Sequence, residues 1–597
     1  MEFSTFVITN KGQALMAKLM QGNGTCNFTA IKLSAQEYTA AQLPTLTSLS
    51  NTKQTAPITR KTIVNTASIQ IEGAIDNKAL TVGYNIQSIG IFANDPDTGE
   101  ILYAVAKATT PGYMPPYNGI TVSGGYFKFV ITVGNATNVS ITVDPAGYAS
   151  IGDVQSLQTE ISDLKGFVGY SDDDIYGVEV DFSNSKFSRL AAAIGRNSGE
   201  GFDSVEPFGG RYRCNLTDAG EEIAKYGDAG YSETGKLTQS ITIGEAENAK
   251  TYPTGTIVQV MVHQPKFYYK VVPLKTDKVE GGKGHHLRKA RYYISAAPKT
   301  GFKLHPAFIH NGVEKNYVYM SAYEGTLFDT SANAYILDDA QVADFAADKL
   351  CSIANAKPIS GTTQSLVRRN CGLLAEKRGK GWYQEYGALA ACTQLLFLVE
   401  YASFNTQSKI GNGVTGKPSI EENVSYSENT GASTPLGNAS GSVTNGNGFN
   451  VVSYRGEENF WGNMWKFVDG LNIQGSGIHE LYVADHGFTE SSITAPYENA
   501  GITLSKENGY ISAMAYSEKF DWLFFPSETN HGANSSVPVG DYFYQNNAAA
   551  PFFVTFLGGP WTDGGDAGGF YWDVSYTPST RSRNIGGRLA YVPGVTA

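Results

Sequence analysis

Short segments in which apolar and polar residues alternate recur along most of the chain, a pattern typical of half-buried β-strands. In the first 147 residues, one helix is predicted to open with Asn10 as a plausible cap, since Leu15, Met16 and Leu19 follow at helical spacing. Strands are predicted over residues 3–9, 68–72, 84–92, 101–106 and 126–133. Turn-forming residues at positions 94–99 predict a hairpin between two of these strands.

A short heptad pattern follows this β-rich region. The apolar residues that carry it, at steps of three and four, are Val154, Leu157, Ile161, Leu164 and Val168. They predict roughly two heptads of coiled coil, and by itself the residue choice favours dimers. An amphipathic helix packed on its own domain is the alternative. Turn-forming residues on both sides indicate that residues 148–169 link two larger parts.

The pattern is mixed between residues 170 and 300. An amphipathic helix is predicted over residues 181–195, because apolar residues recur at helical spacing before a terminal glycine. Two apolar runs, 257–262 and 267–273, predict a hairpin. The basic run at 283–291 predicts a solvated loop. We interpret residues 170–300 as the β-rich framework region of the C-terminal part.

The main helices are predicted further along, over residues 338–355 and 387–404. Serine, asparagine, glycine and threonine dominate residues 420–450, which predicts a long surface insertion. The aromatic residues of 454–472 are predicted to lie in the core. Among them are polar residues for which either Ca²⁺ binding or a structural polar network can be considered: Glu457, Glu458, Asn459 and Asn463. The absence of EF-hand spacing favours the network.

Composition narrows the class of protein. The 597 residues are enough for several domains, and 66 glycines with 35 tyrosines against 17% charged residues indicate turn-rich β structure. A net charge of −11 argues against a nucleic-acid partner. Five widely spaced cysteines without a CxxC motif fit folding in a reducing cytoplasm. We expect neither a signal peptide nor a membrane-spanning segment.

The last forty residues carry the candidate functional chemistry. Glycines that permit positive φ or close approach are Gly558, Gly559, Gly568, Gly586 and Gly587. Residues predicted to pack and fix the backbone are Trp561, Ile585, Leu589 and Tyr591. The residues between them follow no burial period and are predicted to form one exposed ligand-binding patch: Thr562, Asp563, Asp566, Phe570, Tyr571, Asp573, Ser575, Tyr576 and Thr577. Aromatic and small polar side chains on a rigid frame are typical of recognition surfaces. A glycine-rich terminal loop is the alternative.

The order Arg581, Arg583, Asn584, Ile585, Gly586, Gly587, Arg588, Leu589, together with the upstream Gly-Gly-Pro-Trp, resembles a known family. It is similar to the variable regions of proteins that diversity-generating retroelements diversify. Those regions end a C-type lectin domain of the formylglycine-generating-enzyme type. The resemblance implies that the mutable positions fall among the nine patch residues, within a variable region at about 557–591. Few asparagines occur there, which departs from the usual template and would suit an already diversified copy.

The N-terminal region resembles a second family. The segments Thr-Asn-Lys-Gly at 9–12, Ser-Ile-Gly-Ile-Phe-Ala at 88–93 and Ile-Leu-Tyr-Ala-Val at 101–105 are similar to the attachment domain of phage tail-collar fibres. That resemblance implies docking to the baseplate and a homotrimer, which we prefer to the dimer that the heptad alone favours.

The two resemblances together predict a multidomain, β-rich α+β protein. An N-terminal β-sandwich-like attachment domain would span residues 1–147, followed by the short coiled coil at 148–169. The framework region would occupy 170–300, and a C-terminal C-type-lectin-like receptor-binding domain 301–597.

These resemblances imply a phage tail fibre or adhesin that binds a bacterial surface protein or glycan. It would contact phage baseplate and tail proteins, reside in the virion tail after assembly in the host cytoplasm, and need no cofactor and no metal. A non-viral surface adhesin is an alternative, which the missing signal peptide disfavours. We expect no enzyme, because no nucleophile or metal motif is present. A tail-associated glycan depolymerase is the other alternative, with Asp541 and Glu528 as possible carboxylates.

Overall fold

The computed structural model describes residues 1–21, 26–65, 68–119, 122–132, 139–141, 170–339, 342–361, 366–418 and 426–595. The chain divides into two compact units, Met1–Leu164 and Lys165–Ala597. The sequence predicted separate domains at residues 170–300 and 301–597, but in the structure both ranges belong to the second compact unit. The predicted coiled coil at 148–169 lies outside the described residues.

The N-terminal unit is built from one helix and two sheets. Its helix, α1, spans Asn10–Met20. Its strands are Glu2–Phe3, Val7–Ile8, Cys26–Ser34, Thr52–Ala56, Ile58–Asn65, Ser68–Asp76, Tyr84–Asp95, Gly99–Met114, Gly124–Thr132 and Val139–Ile141. A seven-stranded sheet and a three-stranded sheet contribute residues such as Ile31 and Ile69 to one hydrophobic core.

Two predictions in this unit can be compared directly with the structure. The helix begins as expected, but its cap is Thr9, whose Oγ1 accepts a hydrogen bond from the Gly12 amide at 3.0 Å. The predicted hairpin is confirmed, with Asp95 paired to Gly99 across the turn. The β-rich class is therefore correct here, although most strands extend beyond their predicted ends.

The C-terminal unit contains four described helices: α2 Glu206–Gly209, α3 Arg368–Glu376, α4 Gly387–Tyr401 and α5 Thr406–Lys409. Its strands before α4 are Tyr176–Asp181, Lys186–Ala191, Tyr212–Leu216, Glu222–Lys225, Ile241–Ile243, Lys250–Tyr252, Gln259–Pro265, Tyr268–Lys278, His285–Ser295, Lys303–Leu304, Ile309–His310, Val313–Glu314, Tyr317–Ser321, Thr326–Asp329, Ala334–Ile336, Lys349–Cys351 and Trp382–Gln384. Its strands after α4 are Gly441–Thr444, Asn450–Tyr454, Glu457–Glu458, Trp465–Gln474, Glu480–Val483, Glu498–Thr503, Gly509–Tyr516, Pro526–Thr529, Tyr542–Gln545, Phe552–Leu557, Trp572–Val574, Ile585–Gly586 and Leu589–Tyr591.

One large sheet brings the end of the chain into the middle of this unit. Its central strands run, in order, Gly509–Tyr516, Tyr542–Gln545, Trp572–Val574, Phe552–Leu557 and Trp465–Gln474. The strand nearest the C-terminus within this series is therefore flanked on both sides. A separate six-stranded sheet takes up the last strand of the chain next to the strand at 317–321.

Helix α4 is the buried centre of the unit. Every residue from Gly387 to Glu400 is buried, and the sequence is apolar on nearly all sides. A helix without a polar face has to lie within a core. Its residues, including Leu395 and Phe397, share a cluster with Phe570 and Trp572 from the end of the chain. The predicted helix at 387–404 is thus confirmed, and its burial ties the C-terminal segment to the core.

The predicted helix over residues 181–195 is wrong. The chain forms an antiparallel hairpin there, with Asp181 paired to Lys186. The Asp181 carboxylate accepts a hydrogen bond from the Asn184 amide at 3.0 Å, and Ser185 adopts a φ of 51°. This local turn chemistry outweighs the helical spacing of the apolar residues.

The predicted hairpin over 257–273 is also wrong, because its two strands belong to different sheets. Gln259–Pro265 pairs with the strands at 212–216 and 317–321, whereas Tyr268–Lys278 pairs with His285–Ser295. The strand His285–Ser295 contains most of the basic run at 283–291, which we predicted to be a loop. Its cations lie opposite acidic neighbours, as in the contacts of Lys289 and Arg291 with Glu179 at 2.7 Å each.

No described residue of 338–355 is helical, so the helix predicted there is wrong too. The segment contains the short strand Lys349–Cys351 and loops. Aspartate side chains accept hydrogen bonds from backbone N–H groups here. The Asp348 carboxylate accepts hydrogen bonds from the amides of Thr330 and Asp344. Such local contacts compete with helix formation. Helix α3, at 368–376, was not predicted.

Candidate functional site

The end of the chain is held by a buried frame, as the sequence predicted. Trp561 and Leu589 are fully buried, and Ile585 and Tyr591 are nearly so. Gly558 has a φ of 97°, and a Cβ on Gly568 would lie 2.2 Å from the Asp541 carboxylate. These residues fix the path of the segment before and after the predicted patch.

Below the frame lies a network of buried charges centred on Arg588, which is 1% exposed. Its guanidinium donates to the carbonyl oxygens of Glu458 at 2.7 Å and Ser321 at 2.8 Å. Its Nε lies 3.6 Å from the Glu457 carboxylate and 3.7 Å from the Glu385 carboxylate. Burial, reinforced by the charge of Glu457, raises the pKa of Glu385 to about 8.

The polar residues at 457–463 also belong to this buried layer, which confirms the structural network that we preferred. Glu457, Glu458, Asn459 and Asn463 are all fully buried. Asn463 Nδ2 donates to the Glu324 carboxylate, and Glu458 accepts from the amides of Gly431 and Ser433. The insertion at 420–450 is more buried than predicted, because Glu428, Thr430 and Ser433, among its described residues, are buried.

Three of the nine predicted patch residues are not exposed, so the prediction of a single exposed patch is wrong for them. Phe570 is fully buried, Tyr571 is 3% exposed and Asp573 is 5% exposed. The Phe570 ring packs edge-on against Phe404 and Phe524, at 4.8 and 5.5 Å between ring centroids. Its position is explained by the sheet, because the segment enters the strand at 572–574 rather than a terminal loop.

Asp573 sits at the floor of the remaining patch. Its Oδ1 accepts a hydrogen bond from the Ser575 amide at 2.8 Å. Burial raises the pKa of Asp573 to about 7, and the nearby Asp563 adds to the rise. The carboxyl group therefore changes charge near neutral pH.

We expect Asp573→Asn to stabilise the protein at pH 8 but to have much less effect at pH 4.5. The pKa of Asp573 is higher in the folded state than its unfolded value of about 3.9. The protonated Asp573 side chain is therefore compatible with the fold at low pH, and the protein loses stability as the pH rises from about 4 toward 7. The amide cannot titrate, and its oxygen can still accept from Ser575. Melting temperatures of both proteins across this pH range would test the expectation. An equal shift at both pH values would contradict it.

The other six predicted residues remain at the surface. Tyr576 is 41% exposed, and the partly exposed residues are Thr562, Asp563, Asp566, Ser575 and Thr577. Thr562 Oγ1 donates to the Asp563 carboxylate at 2.7 Å. Tyr576 packs on Phe556 at 5.4 Å between ring centroids, next to the strand that carries Asp573.

Three tyrosines from other strands lie next to these residues, and the sequence analysis did not predict them. The Tyr510 hydroxyl donates to Asp566, and its ring lies 5.2 Å from that of Tyr542. Tyr544, 45% exposed, pairs with Asp573 in the parallel register. Tyr542 and Tyr544 alternate with the buried Phe543, and this period of two predicts that both tyrosines lie on the outer face of a strand.

We call this assembly the tyrosine–aspartate surface. Its members are Tyr510, Tyr542, Tyr544, Thr562, Asp563, Asp566, Ser575, Tyr576 and Thr577. Exposed rings offer contact area with few rotatable bonds, and the carboxylates and hydroxyls offer hydrogen bonds. Such an arrangement suits binding rather than bond cleavage.

The residues considered above as possible catalytic carboxylates are engaged in structural contacts. Asp541 is 1% exposed and accepts from the Phe570 amide at 2.7 Å, whereas Glu528 forms an ion pair with Arg288. The two carboxylates therefore do not present a pair to solvent. The four cysteines whose burial is described are buried free thiols. Within the described residues, no cluster of three or more His, Cys, Asp or Glu side chains is arranged to hold a metal ion.

The described part of the chain contains no helix long and apolar enough to cross a membrane.

Comparison with known proteins identifies the N-terminal part. Residues 1–150 match the family model of the phage tail-collar fibre protein, N-terminal domain, which confirms the resemblance predicted for this region. The match covers about a quarter of the chain. No curated protein sequence matches the chain.

Three solved structures, all titled Major Tropism Determinant, are similar in part. The P3c variant is 12% identical and covers 64% of this chain and 71% of its own, with a TM-score of 0.22. The U1 variant is 11% identical with the same coverage and TM-score. The I1 variant is 12% identical and covers 69% and 93%, with a TM-score of 0.24.

Proposed function

We propose that this chain, which carries the N-terminal domain of phage tail-collar fibre proteins, is a receptor-binding tail fibre that attaches the virion to a bacterial surface molecule. The N-terminal domain docks the fibre to baseplate and tail proteins. The C-terminal unit binds the receptor through the tyrosine–aspartate surface. In this proposal the C-terminal unit is a C-type-lectin-like domain whose residues 557–591 are diversified.

The observation that carries the proposal is the contrast between the two kinds of residue near the C-terminus. The run from Arg583 to Leu589 is buried throughout, while Tyr544 and Tyr576 each expose more than two fifths of their surface. Large aromatic side chains are costly to leave exposed unless a partner covers them. Tyrosine is also enriched among residues that dominate binding energy.

A purified, fluorescently labelled full-length protein should bind cells of some strains in a panel of bacteria and leave others unstained. Selective binding is expected because a receptor on the cell surface is recognised. Equal staining of all strains, or of none in a panel that includes the host of the phage, would count against receptor binding. Progressive shortening of purified surface polysaccharide would instead favour the depolymerase alternative.

We propose that the fibre is a homotrimer, as the resemblance to tail-collar fibres implies, with the heptad between Val154 and Val168 as a segment through which the copies associate. Several copies of a weak site on one particle raise the overall avidity. Light scattering of the full-length protein should therefore give three times the chain mass of 64.2 kDa. A monomer at micromolar concentration would contradict this assembly.

A further inference from the structure

A polar cavity of about 310 Å³ lies in the C-terminal unit, and none of its lining residues is a member of the tyrosine–aspartate surface. The two features share the strand Gly509–Tyr516, which gives Tyr510 to the surface and Ser512 to the cavity. The polar side chains that line the cavity are Ser183, Ser185, Arg288, Ser512, Glu528 and His531. Its volume is at the lower end of the range for small-molecule sites, roughly 300–1,000 Å³.

An ion pair held in a fixed geometry lies in this lining. Arg288 donates to both oxygens of the Glu528 carboxylate, with 3.0 Å between Nη2 and Oε1. Its Nε donates to Asp277 at 2.7 Å, and Ser512 Oγ donates to Glu528 at 3.2 Å. Both partners of the ion pair remain partly exposed, at 20% and 16% of their side chains. They are held rigidly and can still be reached.

The charge balance and the polarity of the cavity exclude three classes of ligand: anions, cations and apolar molecules. The single guanidinium already faces two carboxylates, so an anion would meet excess negative charge. The guanidinium in turn opposes a cation, and the lining contains no cluster of metal-ligating side chains among the described residues. An apolar ligand would find mainly hydroxyls, an imidazole and an ion pair.

What the cavity suits is a neutral molecule rich in hydroxyl groups. In the described part of the chain, Arg288 uses three of its five N–H groups in the hydrogen bonds to Glu528 and Asp277. Two N–H donors are left for a ligand. The Glu528 carboxylate offers about four acceptor positions, of which Arg288 uses two and Ser512 one, so about one is left. Ser183 and His531 are exposed at the same cavity and add groups that can both donate and accept.

We infer that this cavity is a saccharide-binding subsite, with Arg288 and Glu528 bonding to adjacent sugar hydroxyls. The inference goes beyond the proposed function, because it assigns a second site and a ligand class that do not depend on the tyrosine–aspartate surface. A chain with both sites would contact a glycan-covered cell at two places.

Saturation-transfer NMR on the full-length protein tests the inference with four free sugars as probes: glucose, galactose, rhamnose and N-acetylglucosamine. Transfer to at least one sugar is expected. Glu528→Gln, which keeps the shape but removes the charge, should weaken that binding about ten-fold. Ser183→Trp should block the cavity while leaving the Arg288–Glu528 pair in place. Ser491→Trp, at an exposed serine outside the cavity, is the matched control and should have no effect.

Absence of transfer to all four sugars would overturn the subsite, as would transfer that Ser183→Trp leaves unchanged. Neither outcome bears on receptor binding by the tyrosine–aspartate surface, which the double variant Tyr544→Ala/Tyr576→Ala tests separately. If those variants lose cell binding while the sugar signal persists, the two sites are independent.

Discussion

Phe570→Ala should destabilise the C-terminal unit by about 3–5 kcal/mol, the range found for removing a buried phenylalanine. The ring is fully buried, and its centroid lies 4.8 Å from that of Phe404, 5.5 Å from Phe524 and 6.4 Å from Phe397. Truncation would leave a cavity among rings anchored in α4, in the loop that follows α4, and in the loop before the strand Pro526–Thr529. Thermal or denaturant unfolding of the full-length chain would measure the loss.

Tyr576→Ala is the matched control from the same forty residues. Its side chain is 41% exposed and packs on the ring of Phe556. We expect a cost of about 1 kcal/mol or less. If the two variants unfold alike, the assignment of Phe570 to the core and Tyr576 to the surface would be incorrect.

Arg588→Met should destabilise the unit by a similar amount, about 3–5 kcal/mol, because it removes a buried cation that donates hydrogen bonds to two carbonyl oxygens and faces two carboxyl groups. The guanidinium supports two carbonyl oxygens and lies between Glu457 and Glu385. Methionine fills part of the volume but replaces none of the hydrogen bonds. The effect should appear as a lower midpoint in denaturant titrations of the full-length protein.

Arg291→Met provides the comparison for an exposed ion pair. Its side chain is 42% exposed and contacts Glu179 at 2.7 Å. Solvent screens such a pair, so the cost should not exceed about 1 kcal/mol. Equal losses in the two arginine variants would show that Arg588 stabilises the unit no more than a surface cation does.

The packing role of the frame could be predicted from sequence because it depends on local residue types. Trp561, Ile585 and Leu589 are apolar residues among glycines, and burial of such residues is the ordinary outcome. The position of Phe570 could not be predicted in this way. It depends on the strand at 572–574 entering the middle of a sheet whose neighbours lie far away in sequence.

The same reason explains why three members of the tyrosine–aspartate surface were missed. Tyr510, Tyr542 and Tyr544 reach Asp566 and Asp573 only through long-range strand pairing. The wrong helices at 181–195 and 338–355 have a more local cause. There, aspartate side chains bind nearby backbone amides, and apolar spacing gives no sign of that competition.

The most direct test of the proposed function is cell binding by the double variant Tyr544→Ala/Tyr576→Ala. With a strain that the labelled wild-type protein stains, the variant should bind at least about thirty-fold more weakly, as expected for the loss of roughly 2 kcal/mol or more at aromatic contacts. Its melting temperature should stay close to that of the wild type. Tyr113→Ala/Tyr226→Ala, at two other exposed tyrosines, should bind normally. Undiminished binding by the Tyr544/Tyr576 variant would contradict the assignment of receptor binding to the tyrosine–aspartate surface.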